Sequence, residues 1–99
     1  MTYAYVTNNG ANTVSKIDLS TFTTVGSALA VGTNPYGIAI DPTGTYAYVT
    51  NEGANTVSKI DLSTFTTVGS ALAVGANPLG IAIAPTPKTN SNFFIFMGA

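Results

Sequence analysis

Tyr46-Ala47-Tyr48-Val49-Thr50-Asn51-Glu52-Gly53-Ala54-Asn55-Thr56-Val57-Ser58-Lys59-Ile60-Asp61 is the stretch that decides the fold. Its first six residues alternate with a period of two, Tyr46 and Tyr48 against Ala47 and Val49, and they are β-branched, aromatic or small, as suits a pleated surface. From Thr56 the same period returns, with Val57, Lys59 and Asp61 alternating against Ser58, Ile60 and Leu62. The polar link between the two runs predicts a short hairpin loop, with Gly53 in its positive-φ position.

The same text recurs upstream. Residues 2–44 align with residues 45–87 at a period of 43, and 38 of the 43 positions are identical. The exceptions are Asn9/Glu52, Thr33/Ala76, Tyr36/Leu79, Asp41/Ala84 and Gly44/Pro87. A period of this length marks a repeat architecture, in which each unit buries a face only against its neighbours. We therefore read residues 1–99 as one repeat array, with unit 1 at 2–44, unit 2 at 45–87 and a divergent tail at 88–99.

Each unit reads as four short strands. The first two are the alternating runs above, joined by a loop holding Gly10 in the first copy and Gly53 in the second. The turn Ser63-Thr64-Phe65-Thr66 leads to a third strand at about 67–74, and a fourth follows Asn-Pro, at 37–40 after Pro35 and at 80–83 after Pro78. Asp41-Pro42-Thr43-Gly44 then predicts a β-turn, with Pro42 pre-set for its second position, Gly44 at its end and the Asp41 carboxylate capping it. In the tail, Phe93-Phe94-Ile95-Phe96 is a candidate further strand at about 92–97; the other reading is foreign sequence whose aromatic run is an aggregation hazard.

A four-stranded sheet apolar on both sides needs a like neighbour on each face, and such sheets stacked radially make a β-propeller. The rival, a β-helix, has shorter coils and no need of these hairpin turns. The expected fold is all-β: antiparallel four-stranded propeller blades, a partial propeller of two blades plus extra terminal strands.

Composition bounds the function. Only 7% of the 99 residues are charged, against about 25% in an ordinary soluble domain, and 45% are hydrophobic. A net charge of −1 without a basic cluster argues against nucleic acid as a partner. The apolar runs are far shorter than the roughly 20 residues of a spanning helix, so no membrane insertion is expected, and no signal peptide is read at the N-terminus. With no Cys and no His, thiol nucleophiles, disulfides and imidazole chemistry are excluded, and no cofactor or metal is expected.

The remaining polar residues have plain structural readings. Asp18 and Asp61 sit beside Lys16 and Lys59 on strand faces, as edge polar positions. The serines and threonines lack a base to activate them. Tyr3, Tyr5, Tyr46 and Tyr48 alternate within strands and are expected between blades. Tyr36 and Leu79, beside the Asn-Pro turns, are the candidate ring-face contacts because the two copies differ there.

At Tyr3-Ala4-Tyr5-Val6-Thr7-Asn8 and Tyr46-Ala47-Tyr48-Val49-Thr50-Asn51 the chain resembles the YVTN family of β-propeller repeats. The likeness continues through Asn12-Thr13-Val14-Ser15-Lys16-Ile17-Asp18 and Asn34-Pro35-Tyr36-Gly37-Ile38-Ala39-Ile40 and their second copies. What the resemblance implies is a four-stranded blade in cell-surface or secreted proteins of archaea and bacteria, surface-layer proteins among them. Related propellers include lactonase-like enzymes and quinone-associated proteins. By the family's pattern the chain begins on the second strand of a blade, leaving an incomplete sheet at each end. Propellers of six to eight blades need roughly 260 to 340 residues at this period, so the expected partners are other blades. These are either missing flanking repeats or copies of the same protein, three chains for six blades or four for eight. The expected role is a non-enzymatic structural or interaction module; the alternative is an inactive remnant of a propeller enzyme such as a lactonase.

Overall fold

The computed structural model describes residues 2–85, and the candidate strand at 92–97 lies outside them. The described residues form nine strands and no helix: β1 (Tyr3–Asn8), β2 (Thr13–Asp18), β3 (Thr23–Thr24), β4 (Leu29–Ala30), β5 (Pro35–Ile40), β6 (Tyr46–Asn51), β7 (Thr56–Asp61), β8 (Thr66–Thr67) and β9 (Leu72–Ala73). They make two antiparallel sheets, β1-β2-β3 with β4 also on β2, and β5-β6-β7-β8 with β9 also on β7.

The sheets do not coincide with the sequence repeats. β5 belongs to the first repeat but pairs with β6 of the second, Ile38 opposite Val49, Ala39 opposite Tyr48 and Ile40 opposite Ala47. The second blade thus takes its first strand from the repeat before it. The second sheet is a complete blade, whereas the first begins at its second strand, β1.

The two copies of the hairpin are alike bond for bond. Tyr3 faces Asp18 and Asn8 faces Thr13, as Tyr46 faces Asp61 and Asn51 faces Thr56. The side-chain amide of Asn8 donates to Thr13 and Ser15, and that of Asn51 to Thr56 and Ser58, at 3.1 and 2.9 Å in each copy.

Two expectations from the sequence need correction. The loop glycines Gly10 and Gly53 do not hold the positive-φ position; Asn12 (φ 62°) and Asn55 (φ 58°) do. Asparagine is among the few side chains that tolerate this region, and here it is also anchored. Asn12 Oδ1 accepts the Asn34 N–H, and Asn55 Oδ1 the Asn77 N–H, both at 2.9 Å. Gly53 answers a different demand, close approach: a Cβ on it would lie 2.9 Å from Thr33 Cγ2 of the preceding repeat.

The third strand is not continuous. It is split into β3 and β4, and into β8 and β9, because Gly26 and Gly69 turn to φ 65° and two extra residues bulge out between the paired segments. Among the described residues the fourth strand is paired in one copy. Residues 35–40 form β5, whereas 80–83 carry no ladder, since the strand they would pair with is not among the described residues.

The core lies between the blades. Val14, Ala47, Val49 and Ile60 are fully buried and Leu62 nearly so, with Tyr5, Leu29, Val31, Ile38 and Phe65 packed against them. One face of the first blade, Tyr5 and Val14, meets the Ala47/Val49/Ile60 face of the second. Repeat-equivalent residues therefore differ in burial according to whether a blade covers them: Val49 is 0% exposed and Val6 41%.

That pair gives a direct test by urea unfolding of dilute chain. Val49→Ala should cost about 2 kcal/mol, whereas Val6→Ala, the same exchange at the same strand position, should cost under about 0.5 kcal/mol. Equal losses would contradict the placement of the core between blades.

Candidate functional site

The residues able to do chemistry are few, and the fold engages most of them locally. Asp18 closes the turn after β2, its Oδ1 accepting the Ser20 N–H at 2.9 Å and the Ser20 hydroxyl at 2.6 Å. Asp61 does the same with Ser63 at 2.9 and 2.7 Å. These bonds, the serine hydroxyl's foremost, hold both carboxyls below their ordinary pKa. Asp41 caps the hairpin that carries the chain from β5 to β6. Its Oδ1 accepts the Thr45 and Tyr46 N–H groups at 2.8 and 3.2 Å, while the Gly44 N–H bonds the Asp41 carbonyl at 3.0 Å and Gly44 turns to φ 72°. Desolvation pushes the Asp41 pKa up, and the bonds from Tyr46, Thr45, Thr43 and Gly44 outweigh it and bring it down.

Both repeat lysines lie over aromatic rings, Lys16 Nζ 4.2 Å from the Tyr3 ring centre and Lys59 Nζ 4.2 Å from that of Tyr46. Tyr5 meets Phe65 across the blade junction with ring centres 5.9 Å apart. Of the four strand tyrosines, Tyr5 is thus the one that packs against the buried cluster. Among the described residues no group of three or more His, Cys, Asp or Glu is placed to hold a metal ion.

Tyr36 and Leu79 are 58% and 46% exposed. Their backbones do structural work: the Tyr36 carbonyl accepts the Thr7 hydroxyl at 2.9 Å, and the Leu79 carbonyl accepts the Thr50 hydroxyl at 2.8 Å. Pro35 is buried and Pro78 half-buried, each following an asparagine at positive φ, Asn34 (φ 53°) and Asn77 (φ 54°). The Tyr36 and Leu79 side chains therefore project from a rigid corner. Beside it, Asn9 Nδ2 reaches the Pro35 carbonyl at 3.3 Å, a bond that Glu52, an acceptor when ionised, cannot copy to Pro78.

A cleft of about 290 Å³ opens between the sheets, lined by Val31, Gly32, Ser58, Lys59 and Thr67 among others. Near it, Asn51 Oδ1 is buried with no hydrogen-bond partner among the described residues, although the amide nitrogen of the same side chain is bonded twice. Reading the sequence misses this group, because the identical Asn8 is less buried.

No family model matches the chain, and none of the curated proteins does. Solved structures do. Hydrazine synthase of Kuenenia stuttgartiensis is 29% identical, with a TM-score of 0.80 over 84% of this chain and 23% of that one. A functionally unknown protein from Desulfotomaculum acetoxidans is 23% identical (TM-score 0.67), covering 77% of this chain and 26% of that one. Apo AztD from Citrobacter koseri is 19% identical (TM-score 0.61), covering 79% of this chain and 23% of that one. The chain thus spans about a quarter of the length of the structures it matches. Strand order, pairing and these likenesses agree: the chain has the fold of a partial β-propeller.

The carboxylates set the acid response. A folded-state pKa below the unfolded value of 3.8 means that the unfolded chain takes up protons first on acidification. The stabilisation is complete above that value and is lost as pH falls through the folded one. Melting temperature followed by circular dichroism should be flat from pH 7 to 5 and fall below about pH 4. Asp41→Ala should lower it at neutral pH and flatten the acid limb.

Proposed function

We propose that the chain is a non-enzymatic structural or interaction module of a cell-surface or secreted β-propeller repeat protein of the YVTN type. The observation that carries this reading is the engagement of Asp18, Asp41 and Asp61 in their own turns, with pKa values lowered rather than raised. A general acid needs a carboxyl held protonated near neutral pH, and these three are driven the other way. Their role is to fix hairpins.

The surface offered to partners is then the loop face where Tyr36 and Leu79 project. An exposed tyrosine on a rigid corner is a good contact residue, large, amphipathic and with little side-chain entropy to lose. The exchange of Tyr36 for Leu79 between otherwise near-identical repeats varies that contact from blade to blade.

A second reading, an inactive remnant of a propeller enzyme, draws support from the likeness to hydrazine synthase. Lactone hydrolysis distinguishes an active enzyme from both. The purified chain should hydrolyse simple lactones no faster than buffer, and turnover abolished by substituting one of its carboxylates would overturn the structural reading.

A further inference from the structure

Phe22 combines two features that do not belong together. Its backbone takes φ 55°, a left-handed conformation that bulky side chains rarely adopt, and its ring is 78% exposed. Its repeat counterpart Phe65 takes the same conformation, φ 54°, for an evident reason. The Phe65 ring lies 5.9 Å from Tyr5 and 6.0 Å beneath Lys16 Nζ, plugging the junction between blades. Phe22 carries the same backbone cost with no such seat. The seat exists at the other end of the chain, where Tyr48 and Lys59 are the counterparts of Tyr5 and Lys16.

We propose that a second copy of this chain docks head-to-tail on the first, its Phe22 seated on Tyr48 beneath Lys59 and its β1 paired with residues 80–83. The proposal rests on the structural-module reading and names the partner. The register follows from the intact junction by a shift of one repeat. Ile38 opposite Val49 becomes Ile81 opposite Val6 of the next copy; Ala39 opposite Tyr48 becomes Ala82 opposite Tyr5; Ile40 opposite Ala47 becomes Ile83 opposite Ala4.

Unmet groups at both ends fit this register. Thr50 Oγ1 accepts the Gly37 N–H at 2.8 Å and donates to the Leu79 carbonyl. Among the described residues its counterpart Thr7 has only the second bond, to Tyr36, so Thr7 of the next copy is open to the Gly80 N–H. A Cβ on Gly37 would collide with the Leu79 carbonyl, whereas one on Gly80 meets none of the described residues within 4 Å. The apolar residues divide likewise. Val6, Leu19 and Phe22 are exposed at one end and Leu72 (68%) at the other, while Val49, Leu62, Phe65 and Leu29 are packed in the junction.

A copy is the favoured occupant because the two described ends complement each other in this register, and the tight turn that links β5 to β6 is not written again in the second repeat. That turn uses the Asp41 carboxylate and Gly44 at φ 72°. The second repeat has Ala84 and Pro87 instead, and a proline ring, fixed near φ −65°, cannot take the glycine's conformation. The described residues of each copy supply three strands to one blade, four to the next and, in this register, one to a third, so a ring closed by them holds two blades per copy and an even number in all.

Native mass spectrometry and light scattering of the full chain at about 1 to 100 μM test this. Three- or four-chain particles are expected. Phe22→Gly should weaken association at least about tenfold while leaving the single chain's melting temperature equal or higher, because glycine accepts the left-handed backbone. Phe65→Gly should instead lower the melting temperature. Gly80→Ala should block assembly without unfolding the chain. Since the chain has no cysteine, mixing Val6→Cys with Ile81→Cys variants should give an intermolecular disulfide, and Val6→Cys with Ala82→Cys, one residue out of register, should not. A single chain at every concentration, assemblies unaffected by Phe22→Gly, or equal cross-linking of both pairs would overturn the proposal. Any of these results leaves the non-enzymatic reading intact, since lactone turnover alone decides that.

Discussion

The pairing of β5 with β6 is the interaction on which the rest of the structure depends. It joins the end of one sequence repeat to the start of the next, so the covalent period and the blade are offset by one strand. That offset converts two tandem repeats from separate sheets into an interlocked pair. It also forces the Asp41-Gly44 hairpin between them, and the Asp41 carboxylate is spent on the backbone of that hairpin. Around it the blade faces meet, with Val14 and Tyr5 from one side and Val49 and Ile60 from the other.

The same constraint explains why near-identical sequence leads to unlike environments. Val6 and Val49, Leu19 and Leu62, and Phe22 and Phe65 are pairs of the same residue at the same register position, yet the second member of each pair is the more buried. Burial here is a property of the neighbour, not of the strand. Low charge follows from the same cause. A blade covered on both faces needs few charges, and its polar residues are mostly Thr, Ser and Asn; three of them, Thr50, Asn51 and Ser58, are themselves buried in strands β6 and β7.

How far the sequence could be read depended on whether the deciding interaction was local. The period of two in Tyr46-Ala47-Tyr48-Val49-Thr50-Asn51 and the Asp-Pro-Thr-Gly turn are local signals, and both are seen where they were read. The hairpin loop was misread at Gly10 and Gly53, because the conformation falls to an asparagine held by a residue 22 positions away. The continuous look of Thr23-Thr24-Val25-Gly26-Ser27-Ala28-Leu29-Ala30 hid a bulge, since nothing in its alternation announces two unpaired residues. Tyr5 was legible as an inter-blade residue from its spacing, but its partner Phe65 was not. A phenylalanine at positive φ is too rare to expect from sequence.

That rarity gives the two phenylalanines their meaning. Left-handed backbone at a bulky residue costs about 1–2 kcal/mol, and a glycine would remove the cost. Retaining the ring at Phe65 gains a packed aromatic contact and a nearby lysine, which offset that penalty. At Phe22 the penalty stands without the contact, so the isolated chain is less stable there than a glycine variant of itself. A sequence position whose local cost is offset only by an intermolecular neighbour marks an interface. By that argument the strain at Phe22 says more about assembly than the exposed apolar area around it.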